Sequence, residues 1–227
     1  MQKMNCDFCN EQTSVKTVYN QIYGNHSRIV YETEHFCLVP CLGQLREGHF
    51  LIFSKKHVNS AGVMNRSIID ELKSFVDRVA EYLKREYQMD TICFEHGVLS
   101  DDGDNGGCGI SHMHIHLLPG TSSEFENLLL ALAEDDTNII SLATSISDAS
   151  DCVENNQTYI FLSKSDVQGE ISSYIITNRE NYFESQYMRK KVAGLLGKEA
   201  WDWKEIKRPE EDFINTLTKA KKNFSCI

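Results

Sequence analysis

No apolar run in these 227 residues approaches a membrane span. The strongest, Leu128-Leu129-Leu130-Ala131-Leu132-Ala133, stops far short of the roughly 20 residues required. Positive charge is also scarce: 23 Lys and Arg face 33 Asp and Glu, for a formal charge of -10. That balance argues against a general binder of nucleic acid or acidic membranes, while leaving room for a basic pocket around one phosphate group. The opening residues, Met1 to Cys6, lack the apolar core of a signal peptide. Internal repeats and low-complexity linkers are missing as well. These absences point to a soluble cytoplasmic protein with no membrane partner, in which the 8 cysteines read as thiols or metal ligands rather than disulfides. With 41% hydrophobic residues the chain can bury a core, and its length suits one globular unit or one domain with an extension.

The chemistry concentrates in Cys108-Gly109-Ile110-Ser111-His112-Met113-His114-Ile115-His116-Leu117-Leu118-Pro119-Gly120. On a β-strand, His112, His114 and His116 line one face, Met113, Ile115 and Leu117 pack behind them, and Pro119-Gly120 ends the strand. Alternate residues lie roughly 6–7 Å apart, so three imidazoles span the length of a phosphate-bearing substrate better than they surround one ion. Paired histidines on a strand can nevertheless hold catalytic zinc, and that alternative stays open on the motif alone.

Other signals surround this stretch. Cys6-Asp7-Phe8-Cys9 is half of a zinc site, a redox pair, or an accident, and no strand and helix in thioredoxin-like order frame it. The short β-branched and aromatic runs Arg28–Glu32, His35–Val39 and His49–Phe53 predict an antiparallel meander, followed by Lys55-Lys56-His57. His57 by itself reads as a partly exposed surface residue. Apolar residues at three and four predict a helix from Ser67 to Tyr87, and Thr91–Glu95 reads as another strand. The Gly- and Asp-rich loop after it lacks the EF-hand order of acidic positions. Its glycines instead allow backbone N–H groups to approach a phosphate closely, a use that fits Gly106, Gly107 and Gly109.

Taken in order, Cys6-x-x-Cys9, Gly48-His49-Phe50-Leu51-Ile52 running into Lys55-Lys56-His57, the long helix, the Gly-Gly loop and His112-x-His114-x-His116-Leu-Leu-Pro resemble the histidine-triad superfamily of nucleotide hydrolases and transferases. The resemblance implies an α+β fold, an antiparallel β-sheet flanked by helices, over residues 1–120. It implies a nucleotide or nucleotidyl conjugate as substrate and a covalent nucleotidyl-histidine formed on His114. A neutral imidazole suits that role, since a hydrogen bond at one ring nitrogen fixes the other as nucleophile. His116 would contact the phosphate oxygens and help the leaving group depart. Uridylyl transferases of the superfamily carry Gln at that third position, so His116 favours hydrolysis.

Many bacterial members bind zinc through residues matching Cys6, Cys9, His57 and His112. Two thiolates and two imidazoles make a closed tetrahedral set, hence a structural zinc. Magnesium is allowed as a shield for phosphate charge, although no residue specifies its ligands. The acid with which many members grip the nucleotide ribose falls here at Cys41, which cannot bond two hydroxyls in the same way. The Gln and Ser that often precede the triad become Cys108 and Gly109, leaving backbone donors, with Gly107, for the phosphate. Ser111 before His112 is similar to the aprataxin branch. Members are often dimers, so a homodimer is allowed unless the extension covers that interface.

Residues 121–227 form an extension expected to pack on the core. Ser122–Leu132 predicts a helix and Glu134-Asp135-Asp136 a solvated charge run; Thr158–Leu162 and Ile171–Ile176 predict a hairpin joined through Gly169. A helix should run from Ser185 to Leu196, stopped by Gly197, and another should start at Pro209. Trp201 and Trp203 read as packing anchors ahead of base-stacking platforms. Arg189 reads as helix-surface charge; only if the extension folds back over the triad do Gln186 and Arg189 face substrate, Arg189 as a bidentate phosphate donor. Two rival functions remain at this level. One is a nucleotide-binding module with little turnover, motivated by Cys41; the other is a metal-dependent hydrolase using the triad as ligands.

Overall fold

A computed structural model describes residues 6–13, 16–99 and 110–224. Two short helices, α1 (Asp7–Glu11) and α2 (Val18–Tyr23), precede a meander of β1 (Tyr31–Glu32), β2 (Phe36–Pro40) and β3 (Phe50–Ser54). The strand expected to begin at Arg28 starts only at Tyr31, because the Arg28 side chain turns inward to bond Glu11 and the Pro40 carbonyl. Helix α3 (Arg66–Tyr87) fits its apolar period. Asn65 caps it by accepting from the Ile68 N–H at 3.1 Å, and Gln88 closes it with a left-handed backbone. Strands β4 (Asp90–Gly97) and β5 (His114–Gly120) follow. Pro119 and Gly120 lie inside β5, opposite Thr91 and Asp90.

The chain then runs through α4 (Ser122–Ala133), β6 (Asn138–Ala143), α5 (Ala149–Glu154), β7 (Tyr159–Ser165), β8 (Ile171–Asn178), α6 (Tyr187–Leu195) and α7 (Glu211–Asn223). The helix and hairpin expectations are met, while β6 and α5 carry too little pattern to be read: β6 is a sheet edge that leaves Ile139 and Leu142 exposed. The capping box of Thr121 and Glu124 opens α4, and Arg46 grips the same Glu124 with two bonds of 3.0 and 2.6 Å. The fold class is α+β, with one antiparallel sheet in the order β1-β2-β3-β5-β4-β7-β8-β6. Because β7 pairs with β4, the portions before and after residue 120 share this sheet. No helix among the described residues is long and apolar enough to cross a membrane.

The two faces of the sheet have different tasks. On one, Phe50, Ile52, Ile115 and Leu117 meet Leu72, Phe75, Val79 and Tyr82 of α3 in the principal core. On the other, Ile92, Phe94 and Leu118 are covered by α4 and α6, and Val39, Leu51 and Phe53 by Phe8 of α1. Between these covers, the second face holds His114 and His116. Gly48 fixes the start of β3: its φ is +90°, and a Cβ there would meet the Tyr87 ring at 2.7 Å.

Candidate active site and metal centre

Strand periodicity places His114 and His116 on the second face, opposite Phe53 and Leu51 of β3, with Phe94 of β4 opposite His116. Their ring centroids are 5.2 Å apart, and Phe94 stacks on His116 at 4.4 Å. Nδ1 of His114 lies 2.7 Å from the His112 carbonyl oxygen. That nitrogen must donate, which leaves the lone pair on Nε2. Burial pushes the His114 pKa below its ordinary value and nearby Arg189 adds to this, while the His112 carbonyl and Glu95 pull it upward. The ring is neutral at physiological pH, as a nucleophile must be.

A relay that the motif does not reveal fixes His116. The Leu45 N–H donates to Nδ1 of His49 at 3.3 Å, so neutral His49 carries its proton on Nε2 and donates to Nδ1 of His116 at 2.9 Å. Nε2–H of His116 is then a donor. Burial holds both rings well below the usual histidine pKa; the charges of Arg189 and His114 lower both further, and His49 also lowers His116. In the sequence His49 belongs to a strand signature; standing one residue before β3, two before Leu51, it shares the alternation that faces the triad, which is the signal that places it beside His116.

His112 stands just before β5 rather than on it, so it leaves the triad face and serves a second centre. Its Nε2–H donates to the Ser54 carbonyl at 2.6 Å, which turns the Nδ1 lone pair toward Cys6 Sγ at 3.2 Å, Cys9 Sγ at 3.7 Å and His57 Nδ1 at 3.1 Å. His57 Nδ1 is 3.4 Å from Cys9 Sγ. Tetrahedral zinc with ordinary bond lengths separates its nitrogen and sulfur ligands by roughly 3.3–3.8 Å, so this donor set fits a closed site. Without a metal, burial pushes the Cys6 thiol up to about 11, with Cys9 contributing; a bound cation reverses that cost. His57 is thus a member of the cluster rather than a lone surface residue. The four residues form a group that can hold a metal. The cluster also places α1, whose Phe8 stacks on Phe53 at 4.6 Å and reaches His114 at 5.1 Å.

A cleft opens beside His114 and His116, which both line it. Arg189 and Cys41 both line it. Contrary to the surface-charge reading, Arg189 is 3% exposed: its Nε donates to the Trp201 carbonyl at 2.9 Å, Nη1 to Cys41 Sγ at 3.2 Å and Nη2 to the Gly43 carbonyl at 2.7 Å. Gln186 does not face the triad; it bonds Asp202 at 2.7 Å and accepts from the Trp203 N–H at 3.4 Å. Gly107, Cys108 and Gly109, expected around the phosphate, lie outside the described residues.

The sequence profile of the HIT domain matches residues 24–123, a span holding His49, His57 and all three triad histidines. Residues 24–123 form a HIT domain. The chain is 24% identical over 115 residues to Protein hit of Bacillus subtilis, covering 51% of this chain and 70% of that protein. It is 27% identical over 101 residues to a bis(5'-adenosyl)-triphosphatase of Dictyostelium discoideum, spanning 44% of this chain and 65% of that protein. Among solved structures, SMU.412c of Streptococcus mutans superposes with a TM-score of 0.40 at 23% identity, covering 60% of this chain and 85% of that one. A zinc-bound histidine-triad family protein of Mycobacterium smegmatis gives a TM-score of 0.39 at 14% identity, covering 67% and 93%.

Two buried groups adjoin the HIT domain site without having been foreseen. Glu95, on the α3 face beneath β5, accepts from the Ala61 N–H at 2.7 Å and the Tyr159 hydroxyl at 2.6 Å. Burial raises its pKa to about 7 against those two bonds. Arg28, 3% exposed, pairs with Glu11 and lies over the Tyr19 ring at 5.6 Å. Magnesium finds no support in the HIT domain: among the described residues the metal-competent cluster that contains carboxylates is Glu34, His35 and Glu71, which joins β2 to α3.

Proposed function

We propose that this protein is a nucleotidyl hydrolase acting through a covalent intermediate on His114. The observation that carries the reading is the His114 Nδ1 to His112 carbonyl bond of 2.7 Å, which leaves Nε2 as a lone-pair nucleophile facing the cleft. In the first step Nε2 forms a P–N bond to a nucleotide α-phosphorus. The bond from phosphorus to the leaving group breaks, that group takes the electron pair, and His116 Nε2–H donates a hydrogen bond to the charge that develops on it. The His112 carbonyl stabilises the positive charge that appears on the imidazole. In the second step water attacks phosphorus, the P–N electron pair returns to His114, and the water proton passes to the departed group or to solvent. The His49 relay keeps the His116 proton on the nitrogen where it is needed.

Support for a hydrolase comes from the relative named as a bis(5'-adenosyl)-triphosphatase and from His116 at the third triad position. Cys6, Cys9, His57 and His112 would hold zinc, which supplies no chemistry to the reaction; His112 joins that centre to the backbone carbonyl used by His114. Residues of the cleft wall, Cys41 and Arg189, would contact the nucleotide. The test is turnover of a panel of dinucleoside polyphosphates, nucleotide sugars and nucleoside phosphoramidates by wild type and His114→Ala. The reading expects at least one substrate whose hydrolysis falls by about 10⁴-fold or more in the variant. Nucleotide binding with no turnover of any panel member would make the protein a binding module instead.

A further inference from the structure

Arg189 is a buried cation whose hydrogen-bond partners are neutral. Its three bonds go to the Trp201 carbonyl, the Gly43 carbonyl and the Cys41 thiol. No carboxylate among the described residues pairs with it, whereas Arg28, in the same cleft wall, is neutralised by Glu11. A guanidinium has five N–H donors, so one on each Nη nitrogen of Arg189 is uncommitted. Burying a charge this way is costly unless something completes its pairing. Asp202 and Glu210 feel its charge through space, but neither bonds it: Asp202 is held by Gln186, Glu210 accepts from the Gly43 N–H at 3.0 Å, and Asp7 lies on the α1 side of the cleft.

The fold has made room for this side chain. Gly43 has φ +66°, and a Cβ there would meet Arg189 Nη2 at 2.8 Å and the Trp203 Cα at 3.2 Å. Arg189 also sits at a defined point along the cleft. At one end are the imidazoles: Cys41 Sγ lies within 4.8 Å of the His49 and His116 nitrogens. Leu42, Tyr19 and Trp203, packed together, line the same cleft. A nucleotide with its phosphorus at His114 and its base on that apolar and aromatic wall puts its sugar against Cys41 and Arg189. With the Cys41 S–H turned to the Leu42 carbonyl at 3.2 Å, Arg189 offers the sugar its uncommitted N–H donors and no carboxylate, a poor match for a free diol and a good one for an anion.

Resting on the nucleotide reading above, we propose that Arg189 forms a second anion subsite at the sugar position, selecting nucleotides that carry a phosphate on the 2'- or 3'-oxygen of the ribose. The test is calorimetric titration of the intact protein with the 5'-monophosphates of adenosine, guanosine, cytidine and uridine, their 5'-diphosphates, and their 2',5'- and 3',5'-bisphosphates. For at least one base, a bisphosphate should bind about tenfold or more tightly than both the 5'-monophosphate and the 5'-diphosphate. Arg189→Met should erase that preference. Cys41→Asp, which gives Arg189 a carboxylate, should erase it too, and it carries the test if Arg189→Met melts below the titration temperature. Equal affinity for the 5'-diphosphate, a preference that survives both variants, or no nucleotide binding would overturn the proposal. The titrations involve no turnover, so a bisphosphate preference in a protein whose hydrolysis ignores His114→Ala would retain the subsite and discard the catalytic reading.

Discussion

Nε2 of His49 lies 2.9 Å from Nδ1 of His116, and through that bond a backbone amide, the Leu45 N–H, dictates which nitrogen of the third triad histidine holds its proton. If the His116 Nε2–H donates to the leaving group, His49 is a positioning residue. His49→Ala frees the His116 ring to take either tautomer. We expect kcat to fall about 10²-fold with KM changed less than about threefold, the size of losing one oriented donor to developing charge. Steady-state kinetics of the variant check this; a loss confined to KM would assign His49 to binding instead.

Metal binding should be measurable apart from activity. Purified protein is expected to carry one tightly held zinc per chain by atomic emission, and Cys9→Ser to lose it. Loss of a structural metal belongs among the severe single changes, on the order of 4 kcal/mol, or roughly 8–16 °C in Tm for a chain of this size. Activity should fall with it, because the cluster holds Phe8 against His114. A Cys9→Ser protein with full zinc content would contradict the assignment.

Glu95 makes stability depend on pH with a definite sign. Its carboxyl titrates at about 7 in the folded protein because of burial, above the ordinary 4.5. The native state therefore binds a proton that the unfolded chain has released, and stability falls as pH rises from about 4.5 through 7. Relative to Glu95→Gln, wild type should lose up to about 3 kcal/mol between pH 4.5 and pH 8. Urea unfolding at those two pH values tests this, and parallel curves for the two proteins would refute it.

Arg28 and Glu11 form a pair whose side chains are 4% and 5% exposed. Glu11→Ala leaves a buried guanidinium without its counter-charge and should cost about 3–5 kcal/mol by urea unfolding. Replacing both members, as in Arg28→Met with Glu11→Leu, should recover much of that loss. Equal destabilisation by the single and double variants would mean that packing, not charge, dominates there.

How much of this could be read beforehand depended on whether the signal was local. The α3 stripe, the β7–β8 hairpin and the alternation of His114 and His116 are patterns within a few residues, and the structure reproduces them. Long-range partners were another matter. Arg189 reads as surface charge on α6 by period alone, and only the return of the chain over β2 buries it against Cys41, 148 residues earlier. The strand reading set His112 beside His114, whereas β5 begins at His114 and His112 turns toward Cys6 and His57. Pro119 fits within β5, and its carbonyl accepts from Arg46 at 3.0 Å. Edge strand β6 lacked a buried face to advertise it.

The stereochemical course at phosphorus tests the P–N bond at His114 whether or not the intermediate accumulates. A substrate with a chiral α-phosphorothioate is hydrolysed in ¹⁸O-labelled water, and the configuration of the product is determined by ³¹P NMR. Two in-line displacements, the first by His114 Nε2 and the second by water, predict net retention. Net inversion would mean that water attacks the substrate directly and that His114 never bonds to phosphorus.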